Sequence, residues 1–286
     1  GSECPETTLV DGNGLSVLYD ENGNKKSEDN YVDGKFHGLA TIWGEDGKKL
    51  SETSYVADEW HGLATWWHKN GQKGMEANYK DDQQHGLTTE WHENGQKART
   101  ANYVADKLHG LETKFYEHGQ KNTEINYKDG KLHGPFTVWN ENGQKLYEME
   151  YKDDMLHGVA TRWHENGQKK REENYKDHKL HGLARRWLEN GQKVSEAYHK
   201  EGELHGLFTW YNNGQKHYEV NYKDGKKQGL RTEWHRNGQK ESETPYKDDK
   251  RHGLATYWTA DGKLMTQIMW QDGEKVEKIK NKSLEL

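Results

Sequence analysis

The sequence predicts an all-β protein: an elongated, twisted, single-layer antiparallel sheet built from eleven tandem 24-residue β-hairpin repeats. Three observations carry this. His-Gly recurs at residues 37, 61, 85, 109, 133, 157, 181, 205 and 252, with Gln228-Gly229 and Asn13-Gly14 in the same slot, and the step is 24 residues except for 23 between 205 and 228. Two turn signals alternate within each period, Asn-Gly (Asn94-Gly95, Asn166-Gly167) and Asp-Gly or Asp-Asp (Asp129-Gly130, Asp153-Asp154); both tolerate positive φ at a hairpin tip. The runs between them, about nine residues long, lack a 3.6-residue period and suit strands.

Counting the His slot as position 0, position 6 is always aromatic: Tyr19, Trp43, Trp67, Trp91, Phe115, Trp139, Trp163, Trp187, Tyr211, Trp234 and Trp258. Position 18 is Tyr in most periods, His199 in one and Trp270 in the last. A three-residue Glu-Asn-Gly turn at positions 8–10 makes position 7 face position 11, so opposed pairs sum to 18. Leucine at position 2 then shares one face with threonine at 4, the ring at 6 and Tyr at 18, and positions 3, 5, 13, 15 and 17 point outward. The short period reads Trp210-Tyr211-Asn212-Asn213-Gly214; a deletion at the tip leaves a two-residue Asn-Gly turn and keeps both faces. Position 23 is often apolar (Phe36, Leu108, Leu132, Leu156, Leu180), which calls for a bulge at His-Gly.

Composition bounds the rest. Net charge is −6 over 286 residues, hydrophobic residues are only 30%, yet there are 12 Trp and 16 Tyr. Such a chain buries rings in a thin repetitive structure rather than filling a thick core. The slight acidity weighs against nucleic acid or anionic lipid as the main partner. No apolar run of ~20 residues is present. The single cysteine, Cys4, excludes an internal disulfide framework and a Cys-based zinc site. Residues 1–12 read as leader and N-terminal cap, 13–274 as repeats, and 275–286 as C-terminal cap or tail. Gly1-Ser2 looks like a cloning scar, and a lipid on Cys4 is the one expected route to a membrane.

The string Tyr127-Lys128-Asp129-Gly130-Lys131-Leu132-His133-Gly134 resembles the MORN repeat. The following Trp, Asn-Gly-Gln-Lys and Glu resemble the variant of bacterial YwqK-type proteins, a family labelled as antitoxins. The resemblance implies a noncatalytic β-hairpin array that binds protein partners, needs no cofactor, and resides in the bacterial cytoplasm or, after loss of a leader, at the cell surface or outside it.

Candidate chemistry follows from position. Successive His at position 0 sit ~10 Å apart, too far to share a metal ion; each is read as packing on its Tyr and capping a backbone group. A second His set at position 7 (His68, His92, His164, His235) is read as solvated. Lys at position 12 is read as lying over the ring of its own period, as in Lys73 and Trp67. Trp43, Trp67, Trp91, Trp139, Trp163, Trp187, Tyr211, Trp234 and Trp258 thus form a structural ladder; the alternative is free rings that bind a quaternary ammonium or a sugar. Departures from the repeat mark the candidate interface on the outward face: Trp66, Phe136, Val138, Phe208, Trp210 and Tyr257 at positions 3 or 5, with Arg162 and Arg186 at position 5 and Arg185 beside the latter. No catalytic motif is present. The expected function is a scaffold for a protein partner, in the specific form of an antitoxin or immunity protein. The competing expectation is an adhesion or ligand-binding array with aromatic pockets.

Overall fold

Both turn types form where the Asn, Asp and Gly residues place them. At the Asn-Gly tips, His164 N donates to Gln168 O (2.8 Å) and Gly167 N to His164 O (2.9 Å), with Gly167 at φ +82. This is the three-residue loop with glycine in the left-handed region. At the other tips Asp153 and Asp154 have φ +50 and +68, a two-residue turn closed by pairs such as Lys176 with Lys179. The short period has Asn212 opposite Gln215, with Asn213 at φ +50 and Gly214 at φ +77. Its missing residue is therefore at the tip.

The computed structural model describes residues 5–279; Cys4 lies outside them. The chain divides into two units, Gly1–Gln144 and Lys145–Leu286. No helix occurs among the described residues, and all pairing within each unit is antiparallel between hairpin neighbours; Lys107–Leu108, Met155–Leu156 and Lys250–Arg251 are split from the strand that follows and share its partner. The first unit starts with Pro5–Thr7 against Gly14–Tyr19. The second ends with Glu274–Ile279 against Leu264–Gln271.

The register differs from the expected one. In the period of His157, Trp163 faces Lys169 as expected, but Arg162 faces Arg171, Thr161 faces Glu172, Ala160 faces Glu173 and Gly158 faces Tyr175. Past the tip the opposed positions sum to 19. The cause is a bulge that leaves position 13 unpaired. Position 13 is Leu50, Gly74, Ala98, Lys170 or Val194 in different periods, and only Gly74 there is a glycine. The bulge at His-Gly is present too, with Tyr175 opposite Leu180 and Glu173 opposite Ala184. Gly158 and Gly182 have φ +95 and +102 there.

One extra residue exchanges the faces. Positions 3, 5, 14, 16, 18 and 23 share a tyrosine face. Positions 2, 4, 6, 12, 15 and 17 share a tryptophan face. The position 6 and position 18 rings, expected together, are on opposite sides. Leucine at position 2, expected inside, is exposed: Leu39 46%, Leu87 49% and Leu230 44%. The buried groups are mostly small, Glu112 and Glu173 being the large exceptions, and form two thin rows. On the tyrosine face they are Ala64, Ala77, Ala101, Ala160, Ala197, Val220 and Ala255; on the tryptophan face they are Thr41, Thr65, Thr89, Thr137, Thr161 and Thr232. Larger side chains arch over each row, so burial comes without a second layer.

Successive periods latch at both ends. His68, His92, His164 and His235 share a hydrogen bond with the carbonyl of the position 6 residue in the next period, at 2.9, 3.2, 3.0 and 3.0 Å. These histidines were expected in solvent; the bond holds them half-buried. Asn70, Asn94, Asn166 and Asn237 donate to the next tip. At the opposite end Asp58, Asp82, Asp106 and Asp249 accept from the backbone N–H of the preceding period's position 23 residue. Each latch joins nearest neighbours only, the stability logic of a solenoid.

Candidate binding surface

The tryptophan face is assembled from repeated local chemistry. Lys49 Nζ lies 5.7 Å from the Trp67 ring, Lys121 5.9 Å from Trp139, and Lys216 5.6 Å from Trp234. Each lysine therefore covers the ring of the following period, not its own, because opposed backbones leave the long stem leaning across to the next hairpin. The same lysines pair with Glu at position 15, as in Lys49–Glu52 at 2.5 Å and Lys216–Glu219 at 2.9 Å. The ladder Trp43, Trp67, Trp91, Trp139, Trp163, Trp187, Tyr211, Trp234 and Trp258 is half-buried throughout. Lys25, Lys49, Lys73, Lys121, Lys145, Lys193 and Lys216 occupy faces of seven of these rings.

The position 0 side chains cap the two-residue turn of their own period. Asp33 N donates to Asn13 Oδ1 (2.9 Å) and Asp248 N to Gln228 Oε1 (3.0 Å). Asp224 N approaches His205 Nδ1 at 3.4 Å in the same way. Asn, Gln and His share an acceptor there, which explains why all three fill the slot. Among the described residues no three His, Cys, Asp or Glu side chains group as a metal site.

On the tyrosine face the candidate interface residues fall into different settings. In the first unit, Trp66 is half-buried and packs on Trp60 at 5.9 Å between ring centroids. It extends an aromatic run through Tyr31, Phe36, Tyr55 and Trp60. Phe136 is half-buried. In the second unit Phe208 rests on Tyr218 and Tyr222, at 5.7 and 6.2 Å. These rings were expected to point outward; the bulge turns positions 3 and 5 toward the tyrosines instead. Arg185 is at position 4, on the tryptophan face, where Thr normally sits. It bonds Glu172 and Glu196 at 3.0 Å each, so it is separated from Arg162 and Arg186.

The remaining candidates share one row of the second unit. Opposed pairs run Tyr147, Arg162, Arg171, Arg186, Ser195, Trp210, Tyr218, Glu233, Ser242 and Tyr257 across successive strands. Arg162 and Arg186 are exposed and Trp210 is 37% exposed. Arg171 belongs to this row and was missed, because position 14 was assigned to the other face. The arginines reach over a buried floor of Ala160, Glu173 and Ala197. Tyr175 donates to Glu173 at 3.0 Å; burial first, and then Glu173, push its phenol above the ordinary range.

No curated protein matches the chain. Among solved structures, the crystal structure of TcdB2-TccC3-TEV matches with 14% identity, 89% of this chain and a TM-score of 0.20, and that of TcdB2-TccC3-Cdc42 with 11%, 93% and 0.19. The chain spans only 14% and 20% of those chains. The model of the MORN repeat variant matches residues 13–33, 60–81, 84–105, 108–129, 132–153, 156–177, 180–201, 204–224 and 227–248. With most of its length matched, this chain belongs to the MORN repeat variant family.

Proposed function

We propose that the chain is a noncatalytic docking scaffold whose tyrosine face in Lys145–Leu286 holds a protein partner, and that it neutralises that partner as an antitoxin or immunity protein does. MORN repeats are in general repeat scaffolds that bind proteins or membranes. The observation that carries the reading here is the row of Arg162, Arg186 and Trp210, which breaks the repeat consensus on one side of one unit. Exposed Trp and Arg over a buried floor are the residue types that anchor protein interfaces. The test is affinity capture followed by co-expression. A captured partner should form a stoichiometric complex that Trp210→Ala or Arg186→Glu weakens, and its toxicity should be relieved by the wild-type chain alone. A complex indifferent to both changes overturns the placement; a harmless partner overturns the neutralising role.

The aromatic-pocket reading has in its favour clefts beside ladder rings, such as one lined by Trp43, Ile42, Leu50, Gly44 and Lys25 and another beside Trp91. Lys25 already covers the Trp43 ring at 5.2 Å, so a cationic ligand would have to displace it.

A further inference from the structure

We propose that Arg162, Arg171 and Arg186 form an anion-reading row and that the protein partner presents a short acidic segment to it. This deepens the docking surface above and rests on that reading.

The first ground is that the row contradicts what a sheet prefers. Arg162 opposes Arg171, and Arg171 opposes Arg186. Like charges directly opposite destabilise a pair of strands. Local conflicts of this kind concentrate at functional sites. Like charges also oppose at the two-residue tips, as in Lys176 with Lys179, and where Arg99 meets Lys114, but away from the tips they are compensated: Lys at position 12 pairs with Glu at 15, and Arg99 and Lys114 are held by Glu90 and Glu112. Within the row only Arg171 has an acid nearby, Glu173 at 3.8 Å. Among the described residues, Arg162 lies over the Tyr147 ring at 5.6 Å without an acidic partner, and Arg186 forms neither an ion pair nor a ring contact.

The second ground is chemical type. Guanidinium offers a planar fork that matches a carboxylate through two parallel hydrogen bonds. Three forks on adjacent strands span roughly 10 Å, which fits two or three carboxylates of one segment. Ser195, buried beside Arg186, leaves a low point before Trp210. An apolar residue flanking the acids would settle there against the indole.

The third ground is charge balance. The whole chain is −6, so a long polyanion meets net repulsion beyond the row, whereas a short acidic segment meets only the row. The corresponding row of the first unit runs Ser27, Ile42, Ser51, Trp66, Met75, Glu90, Arg99, Lys114, Thr123 and Val138; its two cations, Arg99 and Lys114, sit against Glu90 and Glu112, so their charge is already answered within the chain.

The test uses the full chain and a fluorescein-labelled hexaglutamate peptide, read by anisotropy at low ionic strength. Wild type should bind saturably. Arg162→Gln with Arg186→Gln should weaken binding by about tenfold or more, while Arg186→Lys should fall between. Lys247→Gln with Lys250→Gln, which removes the same charge elsewhere, should leave it unchanged. Thermal unfolding of the Arg162→Gln/Arg186→Gln variant should be no lower than wild type, because like-charge repulsion is relieved; this separates a binding role from a structural one. Equal weakening by both double variants, or binding of inorganic polyphosphate or oligo-dT about tenfold tighter than hexaglutamate, overturns the inference. Docking is read separately by Trp210→Ala on the captured complex. Failure there with hexaglutamate still bound at the row overturns the docking placement. Success there with hexaglutamate silent overturns the acidic-segment assignment alone.

Discussion

Replacing Arg99 by methionine strands a buried carboxyl group. Glu112 is 3% exposed and occupies position 3, where Ala64, Ala160 and Ala255 sit in other periods. Arg99 Nε donates to Glu112 Oε1 at 2.5 Å, and its other nitrogens reach Glu90 at 2.8 Å and Tyr103 Oη at 2.9 Å. Burial pulls the Arg99 proton affinity down, but bonds to Tyr103, Glu112 and Glu90 more than restore it, and it stays charged. Breaking a buried pair costs ~3–5 kcal/mol. Lys114 Nζ, 3.9 Å from Glu112, offers partial replacement, which sets the expectation near the lower end, ~3 kcal/mol. For a chain of this size that is a fall of roughly 6–12 °C in Tm. Adding Glu112→Ala restores the small residue of the other periods and should return the protein to within about 1 kcal/mol of wild type, since an apolar replacement of both partners is often neutral. Denaturant unfolding followed by Trp fluorescence reads the total. Amide exchange reads where it falls, which should be the strands from Gln83–Trp91 to Lys121–Lys128. Arg99→Met costing under ~1 kcal/mol, or no recovery on adding Glu112→Ala, would refute the reasoning.

Three further outcomes are expected. His164→Ala and His235→Ala each remove one bond between periods, at 3.0 Å to Trp187 O and Trp258 O, and should cost about 1 kcal/mol each, additively, in denaturant unfolding. Gly158→Ala forces a side chain into φ +95 with its Cβ 3.1 Å from Glu150 Cβ, whereas Gly110 at φ +85 has open space; the first should cost ~1–3 kcal/mol and the second less. Tyr127 and Tyr211 are pushed up to about 12, by burial first and then by Glu112 and Glu196 respectively. A raised phenol pKa stabilises the fold below the ordinary value of about 10 and loses that contribution as pH rises toward 12. A tyrosinate absorbance titration should therefore show late-titrating phenols that disappear in Tyr127→Phe and Tyr211→Phe.

The period, both turn types and the tip deletion at Asn213-Gly214 were legible because each rests on a residue with a backbone demand: Gly, Asn or Asp at positive φ. The faces were not. The bulge at position 13 needs no left-handed residue, so Leu50, Ala98 and Lys170 leave no mark in the sequence, and a single unpaired residue inverts every side chain beyond it. One signal could have exposed it. Positions 3 and 16 are both small in several periods, as in Ala64 with Ala77 and Ala184 with Ala197, a pairing that makes sense only if they face each other. The same slip hid Arg171; Arg185 was grouped with Arg186 on sequence adjacency alone, although consecutive side chains of a strand lie on opposite sides of the sheet. The position 7 histidines were misread because their acceptor carbonyl belongs to the next period.

The most direct measurement is photo-cross-linking to the captured partner from two sites with the same 37% exposure, Trp210 on the tyrosine face and Leu207 on the tryptophan face. Replacing each in turn by a benzophenone-bearing phenylalanine should give a cross-linked complex from position 210 and none from position 207. Cross-linking from position 207 alone would contradict the account.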